Sequence, residues 1–211
     1  MKKLKQYDFS SGGTVGYRKG HKKRLKNLER IVDSFTGELI LDIGCAGRIK
    51  VGDKKIIGLD LYMEYEPDVK ADAGHIPFKD NIFDIVVCSH VIEHTEYPMK
   101  ILSEARRIVK SEGYVLIEAP NHADLENRIR IILGKSILPV KMEKPFEQHQ
   151  WEYTLDELRA LVMKSGLRIV NLYAYAGDER GSWKTKSIRK ISKILPKTWQ
   201  HCIGVISKKA K

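Results

Sequence analysis

The chain has 211 residues, an apolar content of 42% and a formal net charge of +11. We expect one domain over residues 1–211, because this length is ample for a single core. No apolar run reaches the roughly eighteen residues of a membrane-spanning helix, and none follows the basic N-terminus as in a signal peptide. Three widely spaced cysteines exclude a zinc knuckle and a disulfide framework, which favours a cytoplasmic location. The charge favours an anionic partner: nucleic acid, phospholipid headgroups or a phosphorylated substrate.

The N-terminal part predicts a polar lead-in followed by a helix. Residues 1–16 are expected to be flexible. The helix is indicated by apolar residues at helical spacing: Leu25, Leu28, Ile31, Val32 and Phe35. Its first turns are rich in Lys and Arg, which opposes the helix dipole. A ligand contact, a membrane contact and a solvated face remain open as explanations.

The rest of the chain alternates strand-like and helix-like segments. Strands are predicted at 39–43, 56–60, 68–72, 83–88, 114–118, 167–175 and 202–207. One helix should run from Pro98 to a stop at Gly113, and another from a capping box at Thr154 and Glu157 to Gly166. The alternation predicts an α/β fold, a Rossmann-like, mostly parallel seven-stranded sheet with one antiparallel strand and helices on both faces. Only residues 48–55 separate the first two strands, so the first crossover helix should be shortened.

The turn after the first strand combines a buried acid with small residues, which let backbone N–H groups approach a ligand. Asp42 lies at the end of the strand, and the turn reads Gly44-Cys45-Ala46-Gly47-Arg48-Ile49. Asp60 ends the second strand, where an acid can accept both hydroxyls of a ribose. A dinucleotide dehydrogenase would carry G-x-G-x-x-G, which this turn lacks.

Three stretches together resemble the class I S-adenosylmethionine-dependent methyltransferases. The first is the acid and small-residue turn, which in the family reads D-x-G-x-G-x-G. Residues 71–84, Ala-Asp-Ala-Gly-His-Ile-Pro-Phe-Lys-Asp-Asn-Ile-Phe-Asp, resemble D-A-x-x-L-P-F-x-D-x-x-F-D of the branch that contains the ubiquinone and menaquinone enzymes. Residues 89–94, Ser-His-Val-Ile-Glu-His, resemble that branch's S-x-V-L-E-H. The resemblance covers residues 38–120 and implies S-adenosyl-L-methionine as the methyl donor.

The resemblance also implies a donor site. Asp60 would meet the ribose, Asp72 the adenine amino group, and Ser89 and His90 would border the reacting methyl. The whole expected set of donor residues is Asp42, Gly44, Cys45, Ala46, Gly47, Asp60, Leu61, Asp72, Ala73 and Ser89.

His90 and His94 are the candidate catalytic residues, because an attacking hydroxyl or amine must lose a proton to a base. The stretch His90-x-x-Glu93-His94 also has the spacing of metal ligands. Some relatives hold magnesium or a similar ion there with E-x-x-E-H, and His149 would be a distant further ligand. His90 replaces the first acid and suits a hard ion less well, so we assign no metal.

Nucleic-acid methylation leaves signatures that this chain lacks. Exocyclic-amine enzymes carry an N-P-P-Y-like turn after the fourth strand, and carbon-5 cytosine enzymes a cysteine after proline. An RNA methyltransferase, suggested by the net charge, and a binding protein without activity stay as alternatives. A small-molecule or lipid-linked acceptor is expected instead, with the acceptor atom (oxygen, nitrogen or carbon) open.

Two insertions, 121–153 and 177–200, mix apolar and basic residues. The resemblance implies that they form the acceptor pocket or its lid. Basic amphipathic segments also fit peripheral contact with an anionic membrane. They could instead cover a sheet face left bare by the short crossover, or form a homodimer contact.

Overall fold

The computed structural model describes residues 22–46, 49–137, 149–176 and 183–209. Seven strands form one sheet: β1 (Leu39–Ile43), β2 (Lys55–Asp60), β3 (Val69–Lys70), β4 (Phe83–Ser89), β5 (Val109–Pro120), β6 (Leu167–Tyr175) and β7 (Cys202–Lys209). Their order is β3-β2-β1-β4-β5-β7-β6. The strands are mutually parallel except β7, which is antiparallel to both β5 and β6. The predicted fold class is therefore confirmed.

The helices cover both faces of this sheet, as predicted. They are α1 (Lys22–Asp33), α2 (Pro98–Ile108), α3 (Leu125–Ile132), α4 (Leu155–Lys164) and α5 (Trp183–Ser192), with single 3-10 turns at Met63–Tyr65, Ile92–His94 and Lys197–Trp199. α2 and α4 share one hydrophobic cluster with the strands, while α1 belongs to a second cluster. Consecutive strand residues such as Val86 and Val87 point to opposite faces of the sheet and belong to different clusters. The two cores therefore lie on opposite faces.

The crossover from β1 to β2 contains no helix within its described residues, 44–46 and 49–54. The sheet face beside it is nevertheless covered. Leu28 and Val32 of α1 pack in one cluster with Ile49 and Val51 of the crossover. No described residue of the two insertions belongs to that cluster. This face is therefore covered by α1 and by the crossover itself.

Some predicted boundaries are wrong. α2 ends at Ile108 and not near Gly113, β5 begins at Val109 and not at 114, and β3 is shorter than the predicted 68–72. Val109 already pairs with Phe83, and an irregular register then places Tyr114 opposite Ile85. A Cβ on Gly113 would lie 2.9 Å from the Asp84 carbonyl oxygen. Gly113 therefore permits a close backbone approach between β4 and β5, which sequence spacing alone could not distinguish from a helix stop.

The capping box predicted at the start of α4 is present. The Thr154 hydroxyl accepts from the Glu157 backbone N–H at 3.3 Å, and the Glu157 carboxylate accepts from the Thr154 backbone N–H at 2.7 Å. The Thr154 backbone N–H and hydroxyl both donate to the Glu157 carboxylate and so hold the Glu157 pKa below its usual value. The two reciprocal bonds each satisfy a backbone donor that the first helical turn would otherwise leave unpaired.

Thr154→Ala should lower the free energy of unfolding by about 1 kcal/mol, because one N-cap acceptor is lost. Thr154→Ser, which keeps the hydroxyl, is the control. Glu157 has a depressed folded pKa, so its contribution is present above the unfolded value and is lost as pH falls through the folded one. Urea titrations at neutral and acid pH measure both effects. Equal stability of the Ala and Ser variants at neutral pH would contradict the role of the cap.

The carboxyl ends of the parallel strands and both insertions meet at one edge of the sheet. α3 follows β5 at this edge, α5 follows β6, and β7 starts there with Cys202 paired to Pro120 and Tyr175. α3 and α5 pack against each other. In the described ranges, every helix falls short of the length and hydropathy needed to cross a bilayer.

Candidate donor and acceptor site

The turn after β1 is held between β2 and the segment that follows β4. The Gly44 and Cys45 N–H groups donate to the Leu59 carbonyl at 2.8 and 3.2 Å. Gly44 has φ +69°, and a Cβ there would lie 2.1 Å from Val91 Cγ2. Asp42 is buried, and its Oδ2 accepts from the Ile49 N–H at 3.1 Å. Asp42 therefore ties the end of the turn, at Ile49, back to the end of β1.

Cys45 and Ala46 of this turn are buried. The predicted donor residue Gly47 lies outside the described residues. The side chains of Cys45 and Ala46 are therefore packed inward.

The end of β2 brings an acid and exposed apolar side chains together. Asp60 is buried, and its Oδ1 accepts from the Tyr62 N–H at 3.1 Å. Burial raises the pKa of Asp60, while that N–H donor partly offsets the shift. Leu61, Tyr62 and Met63 are exposed large apolar residues in sequence beside it. A carboxylate next to exposed apolar surface suits a ligand that carries both hydroxyls and a flat ring.

Asp72 and Ala73 lie in a turn tied to β2. The Ala71 N–H donates to the Asp60 carbonyl at 3.0 Å. Asp72 is exposed, and its Oδ1 accepts from the Gly74 N–H at 2.7 Å. Ala73 packs against the main cluster. The predicted ribose and adenine acids therefore belong to neighbouring segments at the same edge.

The backbone at the end of β4 is strained at His90, which has φ +58°. A non-glycine residue in this region is uncommon, and such strain is concentrated at functional sites. The conformation is fixed by the His90 N–H, which donates to the Glu118 carbonyl at 3.0 Å. The His90 Nδ1 lies 3.4 Å from Glu93 Oε1, so the turn directs this ring at a carboxylate.

Glu93 is a buried acid among histidines. Its side chain is 1% exposed, and neither carboxylate oxygen is hydrogen-bonded by another residue in the described ranges. His94 Nε2 lies 3.8 Å from Oε1. Burial raises the pKa of Glu93, and the neighbouring His94 acts in the opposite direction. A buried polar group in this condition calls for a functional explanation.

The end of the first insertion is bound to the same turn. The Gln150 and Trp151 N–H groups donate to the Glu93 carbonyl at 2.8 and 3.2 Å, and Trp151 Nε1 donates to the Thr95 carbonyl at 2.8 Å. This brings His149 to His94, with ring centroids 5.0 Å apart. Sequence reasoning treated His149 as a distant ligand, and the fold makes it a neighbour.

Glu93, His94 and His149 are close enough to share one cation, since their ligand atoms all lie within 4.8 Å of one another. His149 Nδ1 is also 2.9 Å from Glu152 Oε1, which raises the pKa of His149. His122, at the start of the insertion, lies 3.4 Å from Glu152 Oε2. Residues from both ends of the insertion, His122, His149 and Glu152, thus lie in one cluster of titratable groups with Glu93 and His94. Sequence reasoning identified only part of this cluster.

Sequence reasoning missed a buried polar network beneath this site. Arg24 Nη1 donates to Ser89 Oγ at 2.8 Å, and Ser89 Oγ donates to Glu118 Oε2 at 2.6 Å. The Tyr173 and Tyr175 hydroxyls donate to Glu118 Oε1 at 2.9 and 3.2 Å. Burial raises the pKa of Glu118, which Ser89 and Arg24 counteract. The only sequence signals were an acid ending an apolar strand and a basic residue beside an apolar helix stripe.

The sequence matches the methyltransferase-domain family over residues 17–172. An uncharacterized protein of Methanocaldococcus jannaschii is 37% identical over 97 residues, which are 41% of this chain and 43% of that protein. A demethylmenaquinone methyltransferase of Bacillus cereus is 28% identical over 185 residues, or 76% of this chain and 78% of that protein. The crystal structure of an S-adenosylmethionine-dependent methyltransferase from Archaeoglobus fulgidus superposes with a TM-score of 0.62 at 21% identity, covering 92% and 98% of the two chains.

Proposed function

We propose that this chain methylates a small-molecule or lipid-linked acceptor. The premise is that it belongs to the methyltransferase-domain family and is an S-adenosylmethionine-dependent methyltransferase. The proposal rests on the buried Glu93 carboxylate. It lies beside His90 and His94, at the edge of the sheet where the small-residue turn follows β1. The Bacillus cereus relative is named for a quinone acceptor, which supports an acceptor of that chemical type.

The donor-binding role of the predicted residues is supported by the fit of the site. Gly44 lacks the Cβ that would collide with Val91, and this lets the turn after β1 lie against the segment after β4 that carries His90. Asp60 would accept from ribose hydroxyls, Asp72 would accept from an amino group, and Leu61 would pack beside the ring. When bound, S-adenosyl-L-methionine supplies an electrophilic methyl group. The chain's own part is to orient the two reactants and exclude water.

Proton removal from the acceptor falls to His90 or His94. His90 is held by its strained backbone, and His94 is the more exposed of the two. The Glu93 carboxylate would stabilise the imidazolium formed on either ring, as an orienting acid does beside a catalytic histidine. Glu93 thereby acts as a positioning residue for the base.

Asp60→Ala should weaken binding of S-adenosylhomocysteine roughly ten- to a hundredfold, the loss expected for hydrogen bonds to a charged acceptor. Asp53→Ala, an exposed acid in the crossover, is the matched control and should bind as the parent does. Isothermal titration calorimetry measures both. Absence of binding in the parent chain, or equal affinity in the two variants, would refute the donor site.

The prediction that no metal takes part gives a second test. We expect turnover to be unchanged after exhaustive removal of metal ions with a chelator, because His90 occupies the position at which metal-holding relatives have an acid. A loss of turnover that one divalent ion restores would contradict this. Glu93, His94 and His149 would then be ligands of that ion, a set whose two imidazoles suit a transition metal better than magnesium.

The rival functions predict different results. An RNA methyltransferase would bind RNA with a steep dependence on salt. A chain that kept the fold without activity would bind the donor and transfer no methyl to any acceptor tested. For a lipid-linked acceptor we also propose that the protein, expected in the cytoplasm, works peripherally at an anionic membrane; a homodimer stays open.

A further inference from the structure

One row of residues crosses four strands of the sheet beside the predicted donor site. Ser89 at the end of β4 pairs with Glu118 of β5. Glu118 pairs in turn with Gly204 of β7, and Gly204 pairs with Tyr173 of β6. Residues that face one another on neighbouring strands lie on the same face of a sheet. Ser89, Glu118 and Tyr173 therefore share one face, which is the face that α1 covers.

Gly204 allows the side chains of this row to meet across β7. A Cβ at this position would lie 2.2 Å from Tyr173 Cζ, so the Tyr173 ring lies directly over the glycine. Its hydroxyl thereby reaches past β7 and donates to Glu118 Oε1 at 2.9 Å. Any side chain at position 204 would displace the ring. The missing side chain is therefore what lets β6 bond to β5 across the strand between them.

Glu118 holds the turn after β4 through both its side chain and its main chain. Its Oε2 accepts from the Ser89 hydroxyl at 2.6 Å, and its carbonyl accepts from the His90 N–H at 3.0 Å. Its Oε1 accepts from the Tyr173 and Tyr175 hydroxyls. An ionised carboxylate only accepts hydrogen bonds, so three hydroxyl donors can converge on it. The two tyrosines therefore fix the carboxylate that fixes Ser89.

We propose that Glu118 is a positioning residue for the methyl-donor site, held in place by Tyr173 and Tyr175. It is fully buried and acts through Ser89 and His90, and its purpose rests on the proposed function, which places these two residues beside the donor. His90 has φ +58°, and a residue keeps so uncommon a conformation only where its surroundings fix it. The Glu118 carbonyl supplies that restraint, and the Glu118 carboxylate orients the neighbouring Ser89 hydroxyl.

A role in stability alone explains this arrangement less well. Burying a carboxylate costs free energy, and apolar side chains of similar volume often replace a buried charge network without loss of stability. The bonds of Glu118 also end at Ser89 and His90, the residues that join β4 to the turn containing Glu93. A purely structural network would not need to end at this turn.

The test is amide hydrogen exchange of the full chain, measured by NMR. Tyr173→Phe with Tyr175→Phe keeps both rings and removes two hydrogen bonds to Glu118. The His90 amide should then exchange about tenfold faster relative to the Val86 amide in the middle of β4, because the turn is restrained less firmly than the strand. Tyr175→Phe alone is the milder variant and should change this ratio in the same direction by less.

Tyr114→Phe is the matched control, since Tyr114 packs against the same cluster as Tyr173, and it should leave the exchange ratio unchanged. Calorimetry with S-adenosylhomocysteine gives a second measurement, in which the double variant should bind about threefold more weakly than the parent, or worse. An exchange ratio or an affinity equal to the parent's would overturn the role of Glu118, even if the free energy of unfolding falls. Absence of binding by the parent would instead refute the donor site itself.

Discussion

Glu93→Gln should lower turnover by about 10²- to 10⁴-fold, the range for loss of general-base assistance, and should raise the melting temperature at neutral pH. The first effect follows because an amide cannot balance the charge of an imidazolium on His90 or His94. The second follows because the change removes a buried carboxylate that no other described residue hydrogen-bonds.

The stability gain should depend on pH in a defined direction. Burial raises the folded pKa of Glu93, so the charged form is disfavoured by the fold, and stability falls as pH rises through that folded value. Glutamine removes this loss, and the gain should disappear in acid. Glu96→Gln, exposed in the same segment, is the control. Reduced turnover accompanied by a lower melting temperature would instead assign Glu93 a structural role.

Arg24→Met should lower the free energy of unfolding by about 3 kcal/mol, the cost of leaving a buried acid without its cation. The acid is Glu118, which Arg24 reaches through the Ser89 hydroxyl. Arg30→Met changes an exposed arginine on the same helix and should cost little. Chemical denaturation compares the two.

A second substitution makes this prediction specific. Glu118→Gln in the Arg24→Met background should recover part of the loss, because a neutral amide needs no cation. If Arg24→Met and Arg30→Met are equally stable, or if Glu118→Gln lowers stability further in the double variant, the network does not act as described.

The regular part of the fold was predictable from local signals. β6 has the predicted bounds, and the capping box of α4 could be recognised in the sequence because its partners are three residues apart. The grouping of the proposed donor residues could be predicted because the motifs after β1, β2 and β4 lie at the ends of parallel strands. Adjacent parallel strands bring those ends to one edge whatever the intervening loops do.

The rest depended on contacts between segments distant in the chain. Arg24 and Glu118 look like surface charges in sequence, and only the packing of α1 on the sheet buries them together. His149 reaches His94 because Gln150 and Trp151 bind the Glu93 carbonyl, and no periodicity reports such a contact. Gly113 was misread because a helix stop and a close backbone approach both favour glycine.

The bridge between Asn121 and Tyr153 separates the first insertion from the sheet. Asn121 is fixed independently, since its Nδ2 donates to the Thr198 and Gln200 carbonyls at 3.0 and 2.7 Å. Closing a longer or shorter loop between fixed ends changes the conformational entropy only slowly with length. The segment between these anchors can therefore change in length or sequence at little cost to the sheet, and we expect such a change to alter the proposed acceptor site and to leave the turn after β1 as it is.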